Sequence, residues 1–127
     1  MTDTTKKKIL IIEDEKPLAH ALQLKLEHEG FEVKTVENGD DGLAIIEKEN
    51  DDLLLCDLII HGLNGFQVLE KIKEKNLKTP VMIMTNLTQE EDKKRAFDLG
   101  AIEFFVKSDT TISEIVESVK TKLNKSS

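Results

Sequence analysis

The sequence predicts an α/β fold: a doubly wound, five-stranded parallel sheet with five helices packed on its two faces. Three observations predict it. Five short apolar runs recur along the chain, separated by segments with helical periodicity. Three of the runs are apolar almost throughout, as strands covered on both faces must be. Every connection is long enough to hold a helix, which parallel neighbours require.

The first run is Lys8 to Ile12. Pro17 then suits a first helical turn, Leu18, Ala21, Leu22 and Leu26 recur at helical spacing, and Gly30 supplies a C-terminal stop. Glu32 to Val36 is mixed in polarity and suits an edge strand. A second helix carries Leu43, Ile45 and Ile46. The third run, Leu53 to Cys56, is wholly apolar. A third helix carries Phe66, Leu69 and Ile72 and is expected to stop before Pro80. Val81 to Met84 is the fourth run. Thr88 and Glu91 have the spacing of a capping box at the start of a fourth helix, which ends at Gly100. The fifth run is Ile102 to Val106, and the last helix shows Ile112, Ile115, Val116, Val119 and Leu123 on one stripe.

No repeat, linker or low-complexity tract divides the 127 residues, so they are expected to form one domain, 1–127, with its core over about 8–123. The strand and helix alternation makes the flavodoxin-like order 2-1-3-4-5 the leading topology, with right-handed crossovers.

Composition excludes several classes. A net charge of −7 argues against non-specific nucleic-acid binding, which needs a basic surface. Trp and Tyr are absent, which leaves five Phe as the whole supply of stacking surfaces. Lys6, Lys7 and Lys8 precede only four apolar residues, too few for a secretory core or a membrane span. Cys56 has no partner for an internal disulfide, and a reducing cytoplasm is the expected compartment.

In sheets of this kind ligands bind beyond the carboxyl ends of the strands, at the switch point between the first and third. The residues there are Glu13, Asp14 and Glu15 after the first run, Asp57 after the third, Thr85 after the fourth and Lys107 after the fifth. Carboxylates that converge repel: at ~4 Å and an effective dielectric of ~20, each pair costs about 4 kcal/mol. Protons or a cation must offset that, and an all-oxygen cluster suits Mg²⁺. A hydroxyl and an ammonium across the site suit the oxygens of an incoming phosphoryl group. All this requires the acidic groups to meet in a shallow pocket, with Asp57 open to solvent.

Four stretches carry a resemblance: Ile9 to Glu15 (ILIIEDE), Leu53 to Asp57 (LLLCD), Val81 to Thr85 (VMIMT) and Phe104 to Lys107 (FFVK). In order and spacing they resemble the signature segments of response-regulator receiver domains, the family of the chemotaxis protein CheY. The resemblance spans about Lys8 to Leu123. It implies that Asp57 is the phosphoacceptor and that Asp14 binds Mg²⁺ (or Mn²⁺) directly. It also implies that Glu13 holds the ion mainly through water and that the Ile59 carbonyl is a further ligand. Thr85 and Lys107 would contact the phosphoryl group, and Phe104 would be the aromatic switch. The implied donor is a phosphohistidine on a sensor histidine kinase or phosphotransfer protein. The implied output is a protein partner engaged by the fourth helix, fifth strand and fifth helix. The resemblance implies no turnover of an external substrate, and no membrane contact is expected. The chain stops soon after the fifth helix, so no direct DNA binding is expected, unless it is a fragment of a larger regulator or hybrid kinase. A monomer, or a weak phosphorylation-dependent dimer, is expected.

Some positions depart from the family pattern. His61 stands where Pro is usual, with Gly62 and Gly65 retained. Asn86 replaces a small residue and is expected to slow phosphorylation by narrowing access. Ser108 replaces a proline that follows a cis bond; a trans Lys107–Ser108 bond is expected, because cis before a non-proline costs about 2.5–4 kcal/mol. Ile59 and Leu87 are apolar where side chains influence the attacking water, so a long-lived phosphoryl group is expected. His20, His28 and His61 lack partners at metal-ligand spacing and are expected at the surface. Lys93, Lys94 and Arg95 form either a solvated helix face or a docking patch. Two rival readings remain: a degenerate receiver acting only through constitutive protein contacts, and a small Mg²⁺-dependent phosphatase. The second fits poorly, because Glu13-Asp14-Glu15 lacks the paired Asp such enzymes place after the first strand.

Overall fold

The structure, a computed structural model, describes residues 6–124; residues 1–5 and 125–127 of the expected domain lie outside the described residues. The strands are β1 (Lys8–Ile12), β2 (Glu32–Val36), β3 (Leu53–Cys56), β4 (Val81–Thr85) and β5 (Glu103–Val106). They alternate with α1 (Lys16–His28), α2 (Gly39–Glu49), α3 (Gly65–Glu74), α4 (Glu90–Asp98) and α5 (Ile112–Asn124). All pairings are parallel and the order is β2-β1-β3-β4-β5. The predicted topology is the observed one.

Side chains of successive strand residues point to opposite faces, and the apolar runs feed two cores that way. Leu10, Ile12, Leu54, Cys56, Val81 and Ile83 pack under α2, α3 and Ala96 of α4. Ile9, Ile11, Leu53, Leu55, Met82 and Met84 pack under Leu22 and Leu26 of α1 and Ile115, Val116 and Val119 of α5. β2 lies at the edge with one buried residue, Val33, as its mixed composition predicts.

Helix ends explain where the chain turns. Pro17 sits in the first turn of α1, and Gly30, at φ +99°, follows its end in the left-handed region that favours glycine. The expected Thr88–Glu91 box does not form. α4 starts at Glu90 with Gln89 as its N-cap and no side-chain bond there. Thr88 therefore lies one residue too early, before the N-cap. Glu90, Glu91 and Asp92 instead place negative charge at the helix N-terminus. Reciprocal boxes occur elsewhere: Asn64 with Gln67 at α3, and Thr111 with Glu114 at α5. α3 stops at Glu74, and left-handed Asn76 (φ +55°) rather than Pro80 marks its end.

At the end of the sheet opposite the strand carboxyl ends, Asp51 is buried, and its Oδ2 has no hydrogen-bond partner. Burial, with help from the nearby Glu49 charge, pushes its carboxyl above the usual value of 3.8. The folded state therefore holds this proton more tightly than the unfolded chain does. Its contribution to stability is present below pH 3.8 and is lost as pH rises through the folded value. Asp51→Asn is expected to add about 1 kcal/mol at pH 7, raising Tm by about 4 °C. The gain should vanish below pH 3.8. Calorimetric scans at both pH values check this, and a gain equal at the two would refute it.

Candidate functional site

Two backbone bonds fix the acidic residues at the switch point. Glu13 N–H donates to Val36 O of β2 at 3.0 Å, and Asp57 N–H donates to Ile12 O of β1 at 3.1 Å. The ladder thus continues past both strand ends and delivers the side chains to one place. Oxygens of Glu13, Asp14 and Asp57 all lie within 4.8 Å of one another. Glu13 is 1% and Asp57 5% exposed, while Asp14 is half-buried.

Lys107 closes the cluster. Its Nζ lies 2.7 Å from Asp57 Oδ2, 2.6 Å from Glu13 Oε1 and 3.3 Å from Glu15 Oε1. The contact with Asp57 is a hydrogen bond. The contact with Glu13 Oε1 is a buried ion pair. Glu13 Oε2 accepts the Glu15 N–H at 2.9 Å. Burial raises the Glu13 carboxyl above its usual value, against the lowering pull of Lys107. Burial alone would lower the Lys107 ammonium; hydrogen bonds and charge from Asp57 and Glu13 together outweigh it and raise it.

The charges do not balance. One ammonium faces Glu13, Asp14 and Asp57, with Glu15 at the margin, which leaves an excess of negative charge in a poorly solvated place. These hard oxygen donors, gathered within 4.8 Å of one another, fit a divalent ion of the Mg²⁺ or Mn²⁺ kind. The part of the offset that sequence reasoning left to protons or a cation is supplied here by Lys107. The same contact changes one expectation: Asp57 is more enclosed than a shallow open pocket implies. The Lys107 ammonium, 2.7 Å from its Oδ2, is part of what encloses it.

The remaining predicted residues are less tightly drawn in. Asp57 Oδ1 accepts the Ile59 N–H at 3.1 Å, while the Ile59 side chain is exposed. Thr85 is fully buried at the end of β4, and its Oγ1 accepts the Leu87 N–H at 3.4 Å, so it is bonded to its own loop. Phe104 is half-buried on the α2–α4 side of the sheet, its ring tilted 42° to that of Phe97 at 6.5 Å. Asn86 and Ser108 are exposed and line a cleft with Glu15 and Lys107. No cis peptide bond occurs among the described residues, so Lys107–Ser108 is trans, and Lys107–Asp109 forms a 3₁₀ turn.

Sequence reasoning placed Glu15 at the switch point and His61 at the surface, but gave neither of them a contact. Glu15 was visible in the acidic run, but its contact with Lys107 depends on side-chain direction. His61 is exposed as expected, yet its Nε2 lies 3.9 Å from Asp14 Oδ2. No spacing rule could have found that pair, which the loop after β3 creates.

The profile of the response regulator receiver domain matches residues 9–120. The chain belongs to that family. It is a receiver domain of two-component signalling, a family that takes its phosphoryl groups from histidine-kinase partners and binds Mg²⁺ through acidic residues. Over 115 residues (91% of the chain) it is 35% identical to the uncharacterized transcriptional regulatory protein YkoG of Bacillus subtilis. Over 100 residues (79%) it is 37% identical to the transcriptional regulatory protein DltR of Streptococcus agalactiae. The matched stretches are 50% and 45% of those proteins, so the receiver spans about half the length of its curated relatives. Among solved structures, a CheY-like receiver domain protein from Methanospirillum hungatei aligns with TM-score 0.87 and 27% identity, covering 95% of this chain and 96% of that one. The Francisella response regulator 1452 receiver domain aligns with TM-score 0.88 over 96% of this chain and all of that one; at 24% identity it shows the fold alone. Among the described residues, no helix of the receiver is long and apolar enough to cross a membrane.

Proposed function

We propose that this receiver, one domain across its 127 residues, takes a phosphoryl group from a phosphohistidine onto Asp57 and thereby switches a protein-binding surface. The observation that carries the proposal is the convergence of Glu13, Asp14 and Asp57 under the Lys107 ammonium. An Asp57 carboxylate oxygen attacks phosphorus in line. The P–N bond to the donor imidazole breaks, and its electron pair stays on that nitrogen. Glu13, Asp14, Asp57 and the Ile59 carbonyl would hold Mg²⁺ (or Mn²⁺), which neutralises charge on the transferring oxygens.

The chain's own groups do the rest. Lys107, already on Asp57 Oδ2, follows the charge onto a phosphoryl oxygen. Thr85 breaks its bond with the Leu87 N–H and donates its hydroxyl to another. That movement frees space beside Phe104, whose half-buried ring turns inward and alters the face made by α4, β5 and α5. The added charge of roughly −1.5 to −2 drives the shift. The domain turns over no external substrate and acts only on its own phosphorylation state. We place it in the cytoplasm, as a monomer or a weak phosphorylation-dependent dimer with a protein partner. Its net charge of −7 argues against DNA contact by these residues themselves.

The test compares wild type with Asp57→Ala in Mg²⁺ with acetyl phosphate or beryllofluoride, by intact mass and amide NMR. Wild type should gain one phosphoryl group, with shifts reaching Thr85 and Phe104, and the variant should gain none. Wild type with neither adduct nor shifts would favour the rival, a receiver acting through constitutive contacts. Apolar Ile59 and Leu87 should leave the adduct standing for hours, and decay within seconds would refute that. Asn86→Ala should be phosphorylated faster than wild type; equal rates remove Asn86 as an obstacle.

A further inference from the structure

We propose that Arg95 is a latch: it fastens α4 to α3 in the resting protein and so sets how readily the output face switches. The proposal rests on the reading of Asp57 as phosphoacceptor and of α4, β5 and α5 as the face that responds. Its own observation is a double contact made by one side chain. The Arg95 guanidinium carbon lies 4.1 Å from the centre of the Phe66 ring. Its Nη2 lies 3.6 Å from Glu70 Oε2. Phe66 and Glu70 stand one helical turn apart on α3 and share a face of it.

The contact matters because α4 has little else to hold it. Of its residues only Ala96 is buried, whereas α3 buries Gly65, Phe66, Val68, Leu69 and Ile72. A second link from α4 runs from Phe97 to Phe104, the ring proposed to turn inward. When Phe104 turns, that link changes and the tie through Arg95 resists the shift. A planar guanidinium suits the place, since it stacks on an aromatic face and pairs with a carboxylate at once.

The anchor is also close to the phosphoacceptor. Phe66 follows Gly65, whose N–H donates to Leu58 O at 3.0 Å and which leaves no room for a Cβ beside Asp57 O. Arg95 therefore joins the output helix to the helix that begins against Asp57, by a route outside Thr85 and Phe104. Releasing the latch favours the switched pose, and by reciprocity a ligand that favours that pose then binds more tightly.

Beryllofluoride with Mg²⁺, added to the full chain and followed by amide NMR, tests this. In Arg95→Ala without beryllofluoride, the amides of α4 and Phe104 should move part-way toward the positions that beryllofluoride gives in wild type. Affinity for beryllofluoride should rise about threefold, the size of an exposed cation–π contact. The sign is diagnostic, because losing a positive charge by itself weakens binding of an anion. Arg95→Lys, which keeps the charge but not the planar stack, should move the same amides in the same direction. Lys94→Ala is the control: Lys94 pairs with Asp98 of its own helix at 2.9 Å, and its loss should move neither quantity. Arg95→Ala with α4 amides unmoved, with affinity unchanged or weakened, or with effects that Lys94→Ala matches, overturns the latch and leaves phosphorylation of Asp57 standing. Wild type that does not respond to beryllofluoride overturns that reading, and the latch with it.

Discussion

Lys107→Ala should slow phosphorylation of Asp57 by about 10²–10³-fold, the cost of removing a preorganised donor from a developing anion. It should also destabilise the metal-free protein. The Lys107 side chain is 10% exposed, and it faces Glu13 and Asp57 side chains exposed by 0% and 7%. Removing one partner of a buried pair leaves the other charge uncompensated, at about 3–5 kcal/mol. The loss depends on pH with a definite sign. Glu13 holds its proton more tightly folded than unfolded, so stability falls as pH rises from 4.5 through the raised folded value. Without Lys107, which now pulls that value down, the window widens and the variant loses more at pH 7 than at pH 4. Mg²⁺ should restore part of the loss and bind the variant more tightly, since a competing cation is gone. Urea unfolding at both pH values, with and without Mg²⁺, decides the matter. A metal-free variant as stable as wild type at pH 7 would mean that the ammonium is not what holds these carboxylates together.

What could be read from the sequence follows from which interactions are local. The apolar runs fix both the sheet and its strand ends, and the positions of Glu13, Asp14, Asp57, Thr85 and Lys107 follow from those ends. Periodicity placed the helices, but not their caps. Thr88 and Glu91 have the right spacing and no cap forms; Asn64–Gln67 and Thr111–Glu114 have it and do form one. The difference lies in where the preceding segment leaves the chain, a tertiary matter. Lys107 was legible as a site residue, but its burial against Glu13 was not, because reach and rotamer decide it. The His61–Asp14 contact needs the loop after β3 to be folded onto the start of α2. Nothing in the spacing of residues 14 and 61 encodes that.

Gly65→Ala couples the fold to the site most directly. A Cβ at Gly65 would stand 2.6 Å from Asp57 O and 2.7 Å from Leu58 Cα, both backbone atoms that no rotamer change can move. The neighbourhood is tightly held: the Gly65 N–H donates to Leu58 O at 3.0 Å, and the Asn64–Gln67 box locks the start of α3. The strain must therefore be relieved by moving α3 or by pushing the backbone of Asp57 and Leu58 back. Overpacking of this kind costs about 3 kcal/mol. Because the displaced carbonyl belongs to Asp57, Mg²⁺ affinity and phosphorylation should fall together with stability. Gly30→Ala provides the contrast. It has open space around it but sits at φ +99°, so its cost is conformational, about 1–2 kcal/mol. Lying far from the carboxylates, it should leave Mg²⁺ affinity where it was. Denaturant midpoints and Mg²⁺ titrations of the two variants separate the cases. If Gly65→Ala bound Mg²⁺ as wild type does while losing stability, the turn into α3 would not be what positions Asp57.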